Sequence, residues 1–203
     1  MTQVIAICGS MGSGKTTVVT RLSELLPRCV ALFEDEYNRT TERSLTEMRA
    51  WLERGADIGE FDLSALIIRL KEFTVHQHAR SASAAAETVL LESQFGRLHP
   101  GLSPYVDFQC WLDVPADIAI VRKIRQLTTD QLQCSDVGAA AGLSWIADFC
   151  QGYLAETRPL LEMQRREVRH ASDLRIDGMQ TPELVCQQII EELSMMHLPV
   201  LVG

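Results

Sequence analysis

Gln3-Val-Ile-Ala-Ile-Cys8 runs directly into Gly9-Ser-Met-Gly-Ser-Gly14-Lys15-Thr16-Thr17, and the reading of this stretch decides the fold. Its first part is β-branched and apolar, which suits a strand buried on both faces of a parallel sheet. Its second part matches G-x-x-x-x-G-K-[ST] in full. Glycines let the backbone curl until its amides point inward at an anion. The helix that follows presents its positive end to the same anion. Lys15 adds a cation for the outer phosphates of a nucleotide. Thr16 offers a hydroxyl to Mg²⁺, a hard cation that prefers oxygen, and Thr17 bonds a neighbouring phosphate. Gly9, Ser10, Met11, Gly12, Ser13, Gly14, Lys15, Thr16 and Thr17 are therefore the candidate nucleotide-binding residues, with ATP and Mg²⁺ as the expected cofactors.

Outward from this stretch the chain alternates strands and helices. Thr16–Leu26 reads as a helix with Leu22, Leu25 and Leu26 on one side, stopped by Pro27. Cys29–Phe33 is a second short apolar strand, followed by the acidic run Glu34-Asp35-Glu36. Residues 38–60 are polar, with a helical stretch near Leu45–Glu53. Leu63, Leu66, Ile67, Leu70 and Phe73 are spaced as one helical face, and the Ala/Ser-rich 79–86 extends or ends that helix. Thr88–Glu92 and Phe108–Asp113 are the third and fourth strands. Pro115 suits the first turn of a helix running to about Leu127. Residues 128–142 read as a loop, 144–169 as a long helix, Asp173–Asp177 as the fifth strand and Thr181–Met196 as the last helix. This order predicts an α/β three-layer sandwich, a five-stranded parallel sheet flanked by helices. One domain covers residues 1–203, with an acceptor-side insertion at about 38–61 and a lid at about 122–143. The apolar tail 198–203 is expected to pack on the body or across a homodimer interface.

Composition narrows the partners. The chain has 203 residues, 46% apolar and 23% charged, with a formal net charge of −8. Such a balance disfavours nucleic acid, which asks for a basic surface. No apolar run reaches the length of a bilayer crossing, and Met1–Cys8 lacks the basic start of a signal peptide, so no membrane partner is expected. Cys8, Cys29, Cys110, Cys134, Cys150 and Cys186 form no CxxC pair. They read as buried free thiols in a reduced, cytoplasmic setting.

The nucleotide motif does not fix a reaction. An Asn-Lys-x-Asp guanine reader and a Ser-Gly-Gly-rich transporter signature are both absent. Phosphoryl transfer to an acceptor needs a group for the attacking hydroxyl and arginines over the phosphates. Asp35 lies just past the second strand, at the edge where ligands collect in open α/β sheets. It is the candidate base and a candidate metal-side group. Glu92 ends the third strand and is placed to orient metal-bound water or hold a substrate hydroxyl. Arg122 and Arg125 share a helix face, so that with Lys15 they would stabilise the moving charge. His76 and His78 are two apart on a helix and face apart, so they read as surface residues.

Together Gly9–Thr17, Phe33-Glu-Asp-Glu-Tyr37, Glu60-Phe-Asp62, Leu90-Leu-Glu92, Trp111-Leu-Asp113, Arg122-Lys-Ile-Arg125 and Tyr153 through Arg158-Pro159 resemble the uridine kinase-like family of P-loop kinases, over about residues 3–195. The resemblance implies a P-loop kinase fold and Asp35 as the catalytic acid/base. It implies Tyr37, Phe61 and Asp62 at the acceptor, Arg122 and Arg125 as lid arginines, and Arg158 on the substrate side. Thr16, Asp35 and Glu92 are the candidate metal-side residues. Arg97 is counted with the substrate group. The family's Asn-Phe-Asp-His-Pro stretch is missing before Glu60, and Gln126 stands where an aspartate is usual. The acceptor is thus open among nucleosides, vitamin-like alcohols and other small hydroxyl compounds. The leading expectation is an ATP-dependent small-molecule kinase. A nucleoside monophosphate kinase is an alternative, with Arg39, Arg43, Arg49, Arg54 and Arg97 available for an acceptor phosphate. A non-catalytic ATP- or GTP-binding regulatory module is another.

Overall fold

The computed structural model describes residues 2–37, 45–74, 87–133 and 139–196. The readings made on His76 and His78, the 79–86 patch, Arg39, Arg43, Cys134 and the 198–203 tail lie outside these residues.

Five strands form one parallel sheet: β1 (Gln3–Gly9), β2 (Cys29–Phe33), β3 (Thr88–Ser93), β4 (Phe108–Asp113) and β5 (Leu174–Asp177), in the order β2-β3-β1-β4-β5. The helices are α1 (Lys15–Leu25), α2 (Leu45–Glu53), α3 (Ser64–Thr74), α4 (Ala116–Gln133), α5 (Ala139–Gly152), α6 (Arg158–His170) and α7 (Pro182–Met195). The three-layer sandwich is as the alternation predicts.

Period-two alternation sorts the strand residues onto two cores. Val4, Ala6, Cys8, Leu32, Val89, Leu91 and Trp111 point to one face, where they meet Trp51 of α2, Leu66 and Leu70 of α3 and Leu160 of α6. Ile5, Ile7, Leu90, Cys110 and Leu112 point to the other, against Val18, Val19 and Leu22 of α1 and Val185 and Ile189 of α7. Leu22 is wholly buried; cutting such a side chain to alanine costs about 2–5 kcal/mol. Leu25 does not share its face. It is 39% exposed, while Leu26 is buried, because the inward stripe of α1 runs Val18, Val19, Leu22, Leu26. Cys8, Cys110 and Cys186 are buried free thiols and Cys29 is half-buried. Burial pushes the Cys29 thiol up to about 11.

Two sequence expectations change. The predicted loop 128–142 is mostly helix: α4 continues to Gln133 and α5 begins at Ala139. Thr128 and Thr129 donate their hydroxyls to the carbonyls of Ile124 and Arg125 four residues back. Threonine is thereby kept inside a helix it would otherwise weaken. The predicted long helix 144–169 is interrupted by a π turn, Tyr153–Thr157, just before α6. Pro159 has no N–H for the carbonyl of Ala155 and its ring crowds that oxygen, so the helix widens there.

The parallel register brings the strand ends to one edge. Phe33 and Ile7 both pair with Glu92, Cys8 pairs with Ser93, and Gly9 pairs with Leu112. The loops after β1, β2 and β3 therefore open side by side. Among the described residues no helix is long and apolar enough to cross a membrane.

Candidate functional site

The loop between β1 and α1 has the shape its sequence calls for. Gly12 and Gly14 take positive φ, 78° and 94°, a region that side chains rarely adopt. At Gly12 a Cβ would also lie 2.0 Å from the Ala119 carbonyl oxygen, so the loop packs against the first turn of α4 only without a side chain. Gly14 caps α1 and faces open space, with nothing within 4 Å of an added Cβ. The Lys15 ammonium donates to the carbonyls of Gly9 at 2.9 Å and Ser10 at 3.3 Å, and the residue is buried. The Ser13 hydroxyl is buried and lacks a hydrogen-bond partner among the described residues.

Strand ends supply the carboxylates. Glu92 lies beside the Thr16 hydroxyl and the Lys15 ammonium. Burial holds the Glu92 carboxyl above its usual range, while Lys15 and Thr16 pull the other way. Asp35 lies in a short 3₁₀ turn, Glu34–Glu36, and accepts from the Gln94 amide at 3.0 Å. Gln94 in turn accepts from Gln164 of α6 at 3.4 Å. Thr16, Glu92 and Asp35 thus meet the nucleotide loop at one edge. This oxygen set suits Mg²⁺, which is held by one or two carboxylates together with substrate phosphates. Among the described residues no group of three His, Cys, Asp or Glu forms a protein-only metal cage.

A cavity of about 310 Å³ opens beside the loop, lined among others by Ser13, Gly14, Thr17, Arg122, Arg125 and Gly178. Arg122 and Arg125 are therefore both brought beside the loop. Arg122 also donates to the Gly178 carbonyl at 3.1 Å. A smaller cavity, about 110 Å³, touches the loop from the other side through Ser10 and Met11, and Tyr153, Arg158 and Arg165 line it. Arg158 is paired with Glu162 at 2.9 Å.

Other candidates are placed elsewhere. Arg97 is directed away from the strand-end edge. It bonds the carbonyls of Val106 and Asp107 ahead of β4 and pairs with Asp173 at 2.7 Å. Phe61 is a core residue, 5.2 Å from Trp51 edge-on and 4.7 Å from Phe95. Asp62 accepts from the Ser64 amide at the start of α3. Tyr37 is half-buried against the α2–α3 core.

Sequence reasoning passed over Glu34, the first residue of the acidic run. It is 2% exposed. One oxygen accepts from the Ser93 hydroxyl and the Gln94 backbone amide, and the other has no partner among the described residues. Desolvation pushes its carboxyl up to about 7, against those two hydrogen bonds, with Asp35 adding a further push. Ser93 also accepts from the amides of Phe95 and Gly96. Glu34 thereby ties the β2 turn to the β3 loop that carries Gln94. Gln94 and Gln164 lay in no recognisable motif.

No protein-family model matches the chain. The uridine kinase of Borreliella burgdorferi (strain ZS7) is 25% identical over 139 residues, 62% of this chain and 68% of that one. The uridine kinase of Staphylococcus epidermidis (strain ATCC 35984) is 29% identical over 147 residues, 64% and 70%. Among solved structures, shikimate kinase from Acinetobacter baumannii in complex with shikimate superposes with a TM-score of 0.50 at 19% identity, covering 96% of this chain and 94% of that one. A putative fructose transport system kinase from Silicibacter sp. TM1040 gives 0.53 at 17% identity, covering 86% and 89%. The likeness in sequence is to uridine kinases and the likeness in fold is to P-loop kinases, as the motif resemblance implied; the two together support a small-molecule kinase.

Proposed function

We propose that this chain, uridine kinase-like in sequence and P-loop kinase-like in fold, transfers the γ-phosphoryl group of ATP to a hydroxyl of a small uncharged metabolite. The observation that carries this is the convergence of Lys15, the Thr16–Glu92 pair and Asp35 on one sheet edge. A bare nucleotide-binding module has no need of an Asp35 held in aim by Gln94.

The amides of residues 9–17 and the Lys15 ammonium hold the triphosphate tail. The lysine now bonded to the Gly9 and Ser10 carbonyls exchanges those contacts for phosphate oxygens. Mg²⁺, when bound beside Thr16 and Glu92, offsets charge on the outer phosphates. Asp35 accepts the proton of the attacking hydroxyl as the new oxygen–phosphorus bond forms and the bond to the β-phosphate oxygen breaks. Arg122 and Arg125 lie by the nucleotide loop and neutralise charge on the leaving diphosphate.

Two of the arginines suggested for a phosphate-bearing acceptor are paired elsewhere, Arg54 with Glu60 and Arg97 with Asp173. This favours a neutral acceptor over a nucleoside monophosphate. The half-buried and buried thiols fit a reducing, cytoplasmic setting.

The test is ADP release from the purified protein with MgATP and a panel of hydroxyl acceptors. Lys15→Ala should lose nucleotide affinity and turnover together. Asp35→Asn should bind nucleotide as wild type does and lose on the order of 10²–10⁴ in turnover, the usual span of general base catalysis. Wild-type turnover in Asp35→Asn would remove Asp35 from the reaction.

A further inference from the structure

A second buried carboxylate has no role in the scheme above. Glu156 lies in the π turn ahead of α6 and is 3% exposed. Its Oε2 has no hydrogen-bond partner among the described residues. Its Oε1 is 3.7 Å from the Arg49 guanidinium of α2, an ion pair too long for a hydrogen bond. Buried carboxylate oxygens without donors are rare because desolvating them is costly.

The direction of this group follows from the helix. Glu156, Leu160, Gln164 and Val168 recur at intervals of four and are all buried, so they share the inward face. The Val168 carbonyl meets Gln109 near the start of β4, whereas Gln164 meets Gln94 just past the end of β3. The stripe therefore climbs from the body of the sheet to its strand ends. Glu156 is roughly two turns beyond Gln164, above the edge where Gln94 holds Asp35. Arg49 forms the facing wall.

We infer that Glu156 binds the acceptor: its free oxygen takes a hydrogen bond from a second hydroxyl of an uncharged polyol, while a first hydroxyl lies at Asp35. The inference rests on the phosphoryl-transfer reading above. Anionic acceptors are disfavoured because Asp35 would repel them and because a carboxylate or phosphate group offers Glu156 no hydrogen to accept. A polyol donates to both carboxylates and gives Glu156 the partner it lacks in the protein.

The experiment uses the full chain with MgATP and four acceptors, measured by ADP release. Uridine and fructose are neutral polyols; shikimate and uridine 5′-monophosphate are anions. Wild type should turn over a neutral acceptor and neither anion. Glu156→Gln should raise the KM for that acceptor roughly ten- to hundredfold, the worth of a hydrogen bond to a charged group. Its kcat and its KM for ATP should stay within about twofold. Glu156→Asp, which keeps the charge, should fall between, and it carries the test if Glu156→Gln does not fold. An unchanged acceptor KM in a folded variant overturns the inference, and so does wild-type turnover of either anion. Silence with all four acceptors, while MgATP still raises the melting temperature, overturns the acceptor class and leaves the nucleotide site standing. Loss of that rise as well would mean that the kinase reading itself had failed.

Discussion

Glu34 couples the site to pH. Its carboxyl is pushed up to about 7 by burial, against about 4.3 in an unfolded chain. Between these values the folded protein holds a proton that the unfolded chain has released. Stability contributed by this group is therefore full below about pH 4.3 and is lost as pH rises through 7. The span corresponds to about 4 kcal/mol, an upper figure because relaxation and water entry reduce it. Denaturant titrations of metal-free protein from pH 5 to pH 8 should show wild type losing stability relative to Glu34→Gln. Parallel pH curves for the two proteins would show that Glu34 does not titrate in this range. The residue was illegible in the sequence because three consecutive acids look solvated. Only the 3₁₀ turn, which sends the first of them inward to Ser93 and the third outward, separates their environments.

At the scale of elements, β1, β3 and β4 were legible because they are buried on both faces and so read as largely apolar runs; β2 and β4 fall on the predicted residues. The nucleotide loop was legible because its glycines answer to geometry, shown at Gly12 by the Ala119 carbonyl. Less was visible where a side chain overrides propensity, as with the threonines that keep α4 helical. Phe61 shows the limit of carrying a role over from a short motif. Its neighbours in the motif touch the acceptor by resemblance, yet its ring is packed between Trp51 and Phe95. Phe61→Ala should lower stability by about 3–5 kcal/mol. Phe61→Leu, which keeps most of the volume, should leave the acceptor KM near wild type. A large KM change in Phe61→Leu with an unaltered melting temperature would return the residue to the acceptor site.

Over the whole molecule, charge is divided across the nucleotide loop. On the proposed scheme Lys15, Arg122 and Arg125 gather on the donor side, while Glu34, Asp35 and Glu156, the last paired with Arg49, belong to the acceptor side. On that scheme a chain of net charge −8 holds a polyanion in one place and turns anions away in the next. The donor side is also tied to the global fold. The helix that follows the loop packs against α7 and the sheet through Val18, Val19 and Leu22, so ordering the loop stabilises the domain as a unit. Ligand that binds only the folded state adds about 2.7 kcal/mol at a hundred times its dissociation constant. For a domain of this size that is a rise of about 5–11 °C in melting temperature. A non-hydrolysable ATP analogue with Mg²⁺ should produce it in wild type, in Asp35→Asn and in Glu156→Gln alike. Lys15→Ala should lose most of it, since the cation that clamps the outer phosphates is gone. Arg122→Ala combined with Arg125→Ala should lose part of it, because those guanidinia meet the nucleotide only along the cavity wall. An equal rise in Lys15→Ala would place the nucleotide away from the loop, and the division of charge would then have no bearing on phosphoryl transfer.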